Sequence, residues 1–191
     1  RRPPRFTLFP YTTLFRSNWN QVCNGGLTLG ALAIADAEPD VAAQVVRHAA
    51  LSVPVAMRHF APDGGGVEGV TYWNYGSRYN VLMLDALESA LGTDFGLRSV
   101  PGFEASGFYP IFMSGADGTT FNFADCGSTG ASAAQHLWMG RVFGRPEFTR
   151  FRLDALKESG RAGGVADLLW YDPVPAARPA PPLPAGRHFR T

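Results

Sequence analysis

The chain has 191 residues, 46% hydrophobic and 17% charged, enough apolar material for a core and too little charge for a disordered polymer. Its formal net charge of +1 excludes a nucleic-acid binder built on phosphate neutralisation, and no stretch approaches the ~20 consecutive apolar residues of a membrane span. The 22 glycines and 15 prolines have no fixed period, which excludes a collagen-like rod or a long coiled coil.

Residues 1–17 differ in composition from the rest of the chain. A basic start and an apolar run resemble a signal peptide, but Pro10 and three threonines interrupt the apolar segment, and it lacks a small-residue cleavage site. The run from Thr7 to Ser17 instead resembles the conceptual translation of a short-read sequencing adapter. Residues 1–17 are therefore read as a non-native segment, and the remainder is expected to be a fragment of a longer protein.

From Gly26 to Asp36 the sequence is apolar nearly all round, the pattern of a helix buried on most faces. Pro39 is suited to the first turn of a second helix, whose Val41, Val45, Val46, Ala49, Val53 and Met57 recur at three- and four-residue spacing. Pro54 is expected to kink or split it. Next comes a turn-rich loop from Phe60 to Gly69. Periodicity returns with Val81, Leu84, Leu87 and Leu91, stopped by Gly92. Met113 to Gly130 is Gly-rich, with Thr120–Phe123 readable as strand or loop. Helices are then predicted from Ala131 to Phe143, from Pro146 with Phe148, Phe151, Ala155 and Leu156, and over a short segment from Val165 to Trp170. Six prolines from Asp172 through Pro184 describe a stiff, extended linker. The sum is an all-α chain of helical hairpins.

Cys23 and Cys126 lie far apart and outside any C-x-x-C pair, which excludes a zinc ribbon or redox dithiol. Two separate buried thiols are favoured over one disulfide. His48 and His59 read as surface or packing residues, and His136 has no partner at metal spacing. Asp117, Asn122 and Asp125 lack calcium-loop spacing. Phosphate-loop, nucleophile-elbow and H-E-x-x-H signatures are missing.

Two clusters are polar and aromatic where their neighbours are not. In Asn18-Trp19-Asn20-Gln21-Val22-Cys23-Asn24-Gly25-Gly26, amides gather ahead of a helix, either to cap it or to meet a ligand at its N-terminus. In the segment from Glu68 to Asn80, a helix places Tyr72, Tyr75 and Tyr79 on one face with Arg78 nearby. That face suits sugar stacking, or equally a core stripe with satisfied hydroxyls.

These two clusters and Phe121-Asn122-Phe123-Ala124-Asp125-Cys126-Gly127, in that order, resemble the heparinase II/III-like polysaccharide lyases from Asn18 to about Trp170. The resemblance implies that residues 18–171 are part of an incomplete (α/α) toroid. Residues 172–191 would then link it to a β-sandwich domain absent from this chain. It further implies β-elimination on an acidic, uronic-acid-containing polysaccharide, heparin-like or alginate-like, without a cofactor or metal in this part, in a periplasmic or secreted protein. In that reading Asn20, or Asn18, neutralises the uronate carboxylate, and Tyr75 serves as acid or base with Tyr79 and Tyr72 in reserve. Arg78 contacts the carboxylate, while Trp19, Asn24, Glu68 and Trp73 shape the sugar subsite. One departure stands out: many members carry a His beside the Asn, where Trp19 and Gln21 stand here. The family's sandwich domain supplies part of the cleft, so the fragment alone is expected to be inactive or nearly so. The alternatives are a non-catalytic glycan-binding module and, last, a toroid glycoside hydrolase, which needs a carboxylate pair where only Glu68 qualifies.

Overall fold

The computed structural model describes residues 16–190; most of the adapter-like segment lies outside that range. The chain is all-α. Its three long helices are α1 (Asn18–Ala33), α2 (Pro39–Met57) and α3 (Gly69–Leu91). Two short helices follow, α4 (Phe103–Ser106) and α5 (Phe108–Phe112), then α6 (Gln135–Phe143), α7 (Pro146–Ser159), α8 (Val165–Trp170) and α9 (Pro173–Ala177). Thr120–Phe123 is loop. Among the described residues the single β-type pairing is an isolated bridge between Ser114 and Thr120.

Local chemistry explains most boundaries. Pro39 and Pro146 open α2 and α7, where a missing N–H costs nothing. Gly92 and Gly144 end α3 and α6 in left-handed conformations, at φ 69° and 64°, that a residue with a Cβ adopts only at a cost. Pro54 does not split α2. It sits in the last turn, and the helix runs on to Met57 before a 3-10 turn over Arg58–Phe60.

Helix α1 corrects two expectations. It begins at Asn18, so the amide cluster forms its first turns rather than preceding it, and Ser17 is the cap, its Oγ accepting from the Trp19 N–H at 3.3 Å. Nor is α1 buried on most faces. It packs along both α2 and α3 with one side, burying Asn18, Asn20, Gln21, Gly25, Thr28 and Ala31, while Leu27 is 62% exposed.

Small residues on that side decide how closely the helices approach. A Cβ on Gly25 would lie 2.7 Å from the Tyr79 carbonyl oxygen, and one on Gly76 would lie 3.0 Å from the Asn18 Cβ. Backbone therefore meets backbone at both crossings. Gly26, one residue on, faces open space. Gly25→Ala is expected to destabilise the fold by about 2 kcal/mol through overpacking. Gly26→Ala should stabilise it by about 1 kcal/mol through helix propensity. Urea unfolding of the two variants checks the contrast, and equal midpoints would exclude the close approach.

The core gathers Val53 and Met57 of α2, Trp73, Leu84 and Leu87 of α3, Phe103 of α4, Met139 of α6, Phe148 of α7 and Trp170 of α8. Asp85 ties three of these helices: its carboxylate oxygens accept the indole N–H groups of Trp138 and Trp170, each at 2.9 Å, and Arg141 at 3.1 Å. His136 lies wholly inside, its ring against Trp73 and Phe151 at 5.0 and 5.1 Å, and its Nδ1 3.0 Å from the Ala133 carbonyl oxygen.

The tail is not an extended spacer throughout. Pro173–Ala177 is helical, and the final residues fold back on the body. Arg187 Nη2 donates to the Asp63 carbonyl at 3.2 Å, the Phe189 ring meets Tyr109 at 5.3 Å, and the Arg190 N–H donates to the Asp63 carboxylate at 2.9 Å. The cysteines are two free thiols, but only Cys126 is buried; Cys23 is exposed because its side of α1 faces away from α2 and α3. No helix among the described residues is long and apolar enough to cross a membrane.

Candidate functional site

The three sequence motifs meet at the N-terminal end of α3. Glu68, just ahead of that helix, accepts the Asn18 backbone N–H at 3.2 Å and the Asn18 Nδ2 at 3.0 Å, joining the first motif to the second. Its carboxylate thus lies at the N-terminus of α1, where the helix dipole favours negative charge. Thr71, in the first turn of α3, joins the second motif to the third: its hydroxyl donates to the Cys126 sulfur at 3.4 Å and accepts the Gly127 N–H at 3.0 Å. Burial raises the Cys126 pKa, but these and neighbouring hydrogen bonds outweigh it, holding the thiol below its ordinary value. A Cβ on Gly69 would lie 2.9 Å from the Cys126 Cβ, so the loop seats on the helix only because position 69 is glycine.

A cleft of about 380 Å³ opens at this junction. Asn18 and Gln21 of α1, Glu68, Tyr72 and Trp73 around the start of α3, Ala56 at the end of α2, and His59 and Phe60 of the 3-10 turn line it. The starts of two long helices, α1 and α3, face the same space, and the Glu68 carboxylate already takes the position that the α1 dipole favours for an anion. Arg16 and Ser17 stand at the rim but belong to the adapter-like segment.

The polar inventory of the cleft is unusual. Asn18, Gln21 and Trp73 are 5%, 4% and 3% exposed, yet Asn18 Oδ1, Gln21 Oε1 and Trp73 Nε1 are buried without hydrogen-bond partners. Each is enclosed by the packing around it and carries the free-energy cost of an unmet buried group. The Asn18 amide is oriented by its bond to Glu68, so its unmet atom is an acceptor. The Tyr72 hydroxyl has no partner among the described residues. Tyr109, by contrast, donates its hydroxyl to the Gly66 carbonyl at 2.8 Å, pinning the glycine loop beside the cleft, and burial first and Cys126 second push its pKa up to about 12.

The expected site residues divide into three groups. Asn18, Glu68, Tyr72 and Trp73 come together in the cleft. Asn20 and Asn24 do not reach it: the Asn20 Nδ2 donates to the Ser52 hydroxyl at 3.0 Å and the Ser52 carbonyl at 3.2 Å, while the Asn24 Nδ2 donates to the Asn20 Oδ1 at 2.9 Å. These amides lock α1 onto α2. Tyr75, Tyr79 and Trp19 form a separate aromatic row, Trp19 meeting Tyr75 edge-on at 6.1 Å and Tyr75 meeting Tyr79 at 5.6 Å. Arg78 is exposed beside that row. Among the cleft residues outside the expected set, two from residue 18 onward are polar side chains. Gln21 carries a signal, since it shares the amide cluster; His59 carries none, because its helical spacing masks a 3-10 turn that faces the cleft.

No protein-family model and no curated protein matches this sequence.

Proposed function

We propose that this chain is the helical part of a lyase similar to the heparinase II/III-like enzymes, holding one uronate residue of an acidic polysaccharide in the cleft. The observation that carries this reading is the meeting of the three motifs at one cleft, lined by Asn18, Glu68, Tyr72 and Trp73, with the unbonded phenol of Tyr72 among them. The half-buried Tyr72 suits a sugar, its ring a C–H face and its phenol a hydroxyl group, on a floor supplied by the buried Trp73.

The reaction requires a base to take the C5 proton. The C5–H electron pair becomes the C4–C5 double bond, the C4–O4 bond breaks, and an acid protonates the departing oxygen. Tyr72 is our choice for one of these roles, with His59 at the rim for the other. Negative charge that builds on the uronate carboxylate lies at the start of α3, whose dipole favours it. A second reading, a glycan-binding module without catalysis, is favoured by one observation: the Asn20 amide nitrogen donates to the Ser52 hydroxyl and carbonyl, and one N–H of Asn18 is committed to Glu68, which leaves the carboxylate short of amide donors.

In the longer parent protein that the likeness implies, Tyr72→Phe is expected to reduce formation of unsaturated product by about 100-fold or more, the range of one proton-transfer group. Tyr75→Phe should retain most of it. Loss with Tyr75→Phe and not Tyr72→Phe would reverse the assignment. Binding of uronate oligosaccharides without any unsaturated product would favour the second reading, and the absence of binding would overturn both.

A further inference from the structure

We propose that Trp19, Tyr75 and Tyr79, with Arg78, form a second subsite that carries an acidic glycan onward from the cleft along α3; this rests on the cleft's being a glycan site. Four observations converge. The row lies outside the cleft lining but next to it along both helices: Trp19 follows Asn18 in α1, and Tyr75 comes one turn after Tyr72 in α3. From Tyr72 to Tyr79 the helix advances about 10 Å, so the row extends a linear ligand rather than enclosing a small one.

The rings are also held but not used up. Edge-to-face contacts fix Trp19, Tyr75 and Tyr79 relative to one another, yet Trp19 remains 49% exposed. The hydroxyls of Tyr75 and Tyr79 have no hydrogen-bond partner among the described residues, so this is no core stripe of satisfied phenols. Aromatic bodies with unspent polar tips suit a surface that stacks C–H faces and bonds hydroxyls.

Charge supplies the last observation. Arg98, Arg141, Arg145, Arg152 and Arg190 each pair with a carboxylate, whereas Arg47, Arg58, Arg150, Arg161, Arg178 and Arg187 share with Arg78 the lack of an ion pair among the described residues. Arg78 is exposed and makes no ion pair among the described residues, and it stands one turn from Tyr75 on the same helix. An unpaired guanidinium beside a stacking row favours a glycan that bears a carboxylate, as a uronate does.

The test is calorimetric titration of the complete chain with size-fractionated alginate and heparosan oligosaccharides, disaccharide against hexasaccharide. The wild type is expected to bind the hexasaccharide of one series about tenfold more tightly than its disaccharide. Trp19→Ala and Arg78→Gln should each erase that gain and leave disaccharide affinity unchanged. Arg78→Gln changes only an exposed side chain, so it keeps the test open if Trp19→Ala disturbs α1, which circular dichroism reports. Unchanged hexasaccharide affinity in Arg78→Gln, or equal binding of neutral cello-oligosaccharides, would overturn the subsite while leaving the cleft reading intact. A wild type that binds neither length of either series would overturn both.

Discussion

Replacing Asp85 with alanine is expected to cost about 4 kcal/mol of stability, a large part of what a domain of this size possesses. The reason lies in what its two oxygens hold. The indole N–H groups of Trp138 and Trp170 each donate to one of them at 2.9 Å, and those side chains are 3% and 0% exposed. Deletion of the carboxylate leaves both buried donors unmet. Hydrogen bonds to a charged group are worth about 1.5–3 kcal/mol each. The pair with Arg141 adds little, because both side chains are partly in solvent. Asp85→Asn keeps one acceptor oxygen but points an amide N–H at the second indole, so at least half the loss should remain. Urea unfolding followed by tryptophan fluorescence reads both effects. An alanine variant within about 1 kcal/mol of wild type, on the order of a surface substitution, would show that Asp85 does not join α3, α6 and α8.

The second large effect is expected from acid. His136 is fully buried, and burial first, then the positive charge of Arg152, lower its pKa from 6.5 to about 4, against the opposing influence of its backbone hydrogen bonds. Above pH 6.5 the ring is neutral in both folded and unfolded chains, and the group leaves stability untouched. As pH falls from 6.5 toward 4, the unfolded chain takes up a proton that the folded one refuses, and stability is lost; the loss approaches about 3 kcal/mol below the folded value. Asp94 and Asp167, whose carboxyl groups are held below the ordinary value of 3.8, lose their contributions only at lower pH. The two causes are therefore separable. His136→Phe, which keeps a ring against Trp73 and Phe151, should flatten the unfolding midpoint between pH 6.5 and 4. A wild-type midpoint that is constant across that interval would rule out this role for His136.

How much of the structure is legible in the sequence depends on the range of the interactions involved. Helix boundaries set by one residue's backbone chemistry are legible: Pro39, Gly92, Gly144 and Pro146 act locally and act as expected. The start of α1 is not, because asparagine's intrinsic taste for caps argues against three of them inside a helix. Partners more than two dozen residues away, Ser52 and Glu68, meet the Asn20 and Asn18 side chains there. The exposed flank of α1 is hidden for a related reason, since Gly25 and Gly26 are identical in composition and opposite in surroundings. The tail shows the same limit. Proline content speaks to local stiffness, whereas the contact of Arg187 with Asp63 spans more than a hundred residues. In the cleft, the residues drawn from the motifs cluster where two helices begin. The division between Tyr72, which lines it, and Tyr75, which joins the outer row, depends on a helical phase that composition does not supply.

The contact of α1 with α3 through Gly25 and Gly76 has a kinetic side. Side chains normally act as a compliant layer between helices, letting one slide over the other; here that layer is missing at two points along the seam. Asn18 and Tyr72, which line the cleft from α1 and α3, are therefore held at a fixed gauge, and the glycan proposed above would fit without first waiting for a helix to shift. Little ordering remains to be done on arrival. Discrimination among guests should then show itself in how long each stays rather than in how quickly it enters.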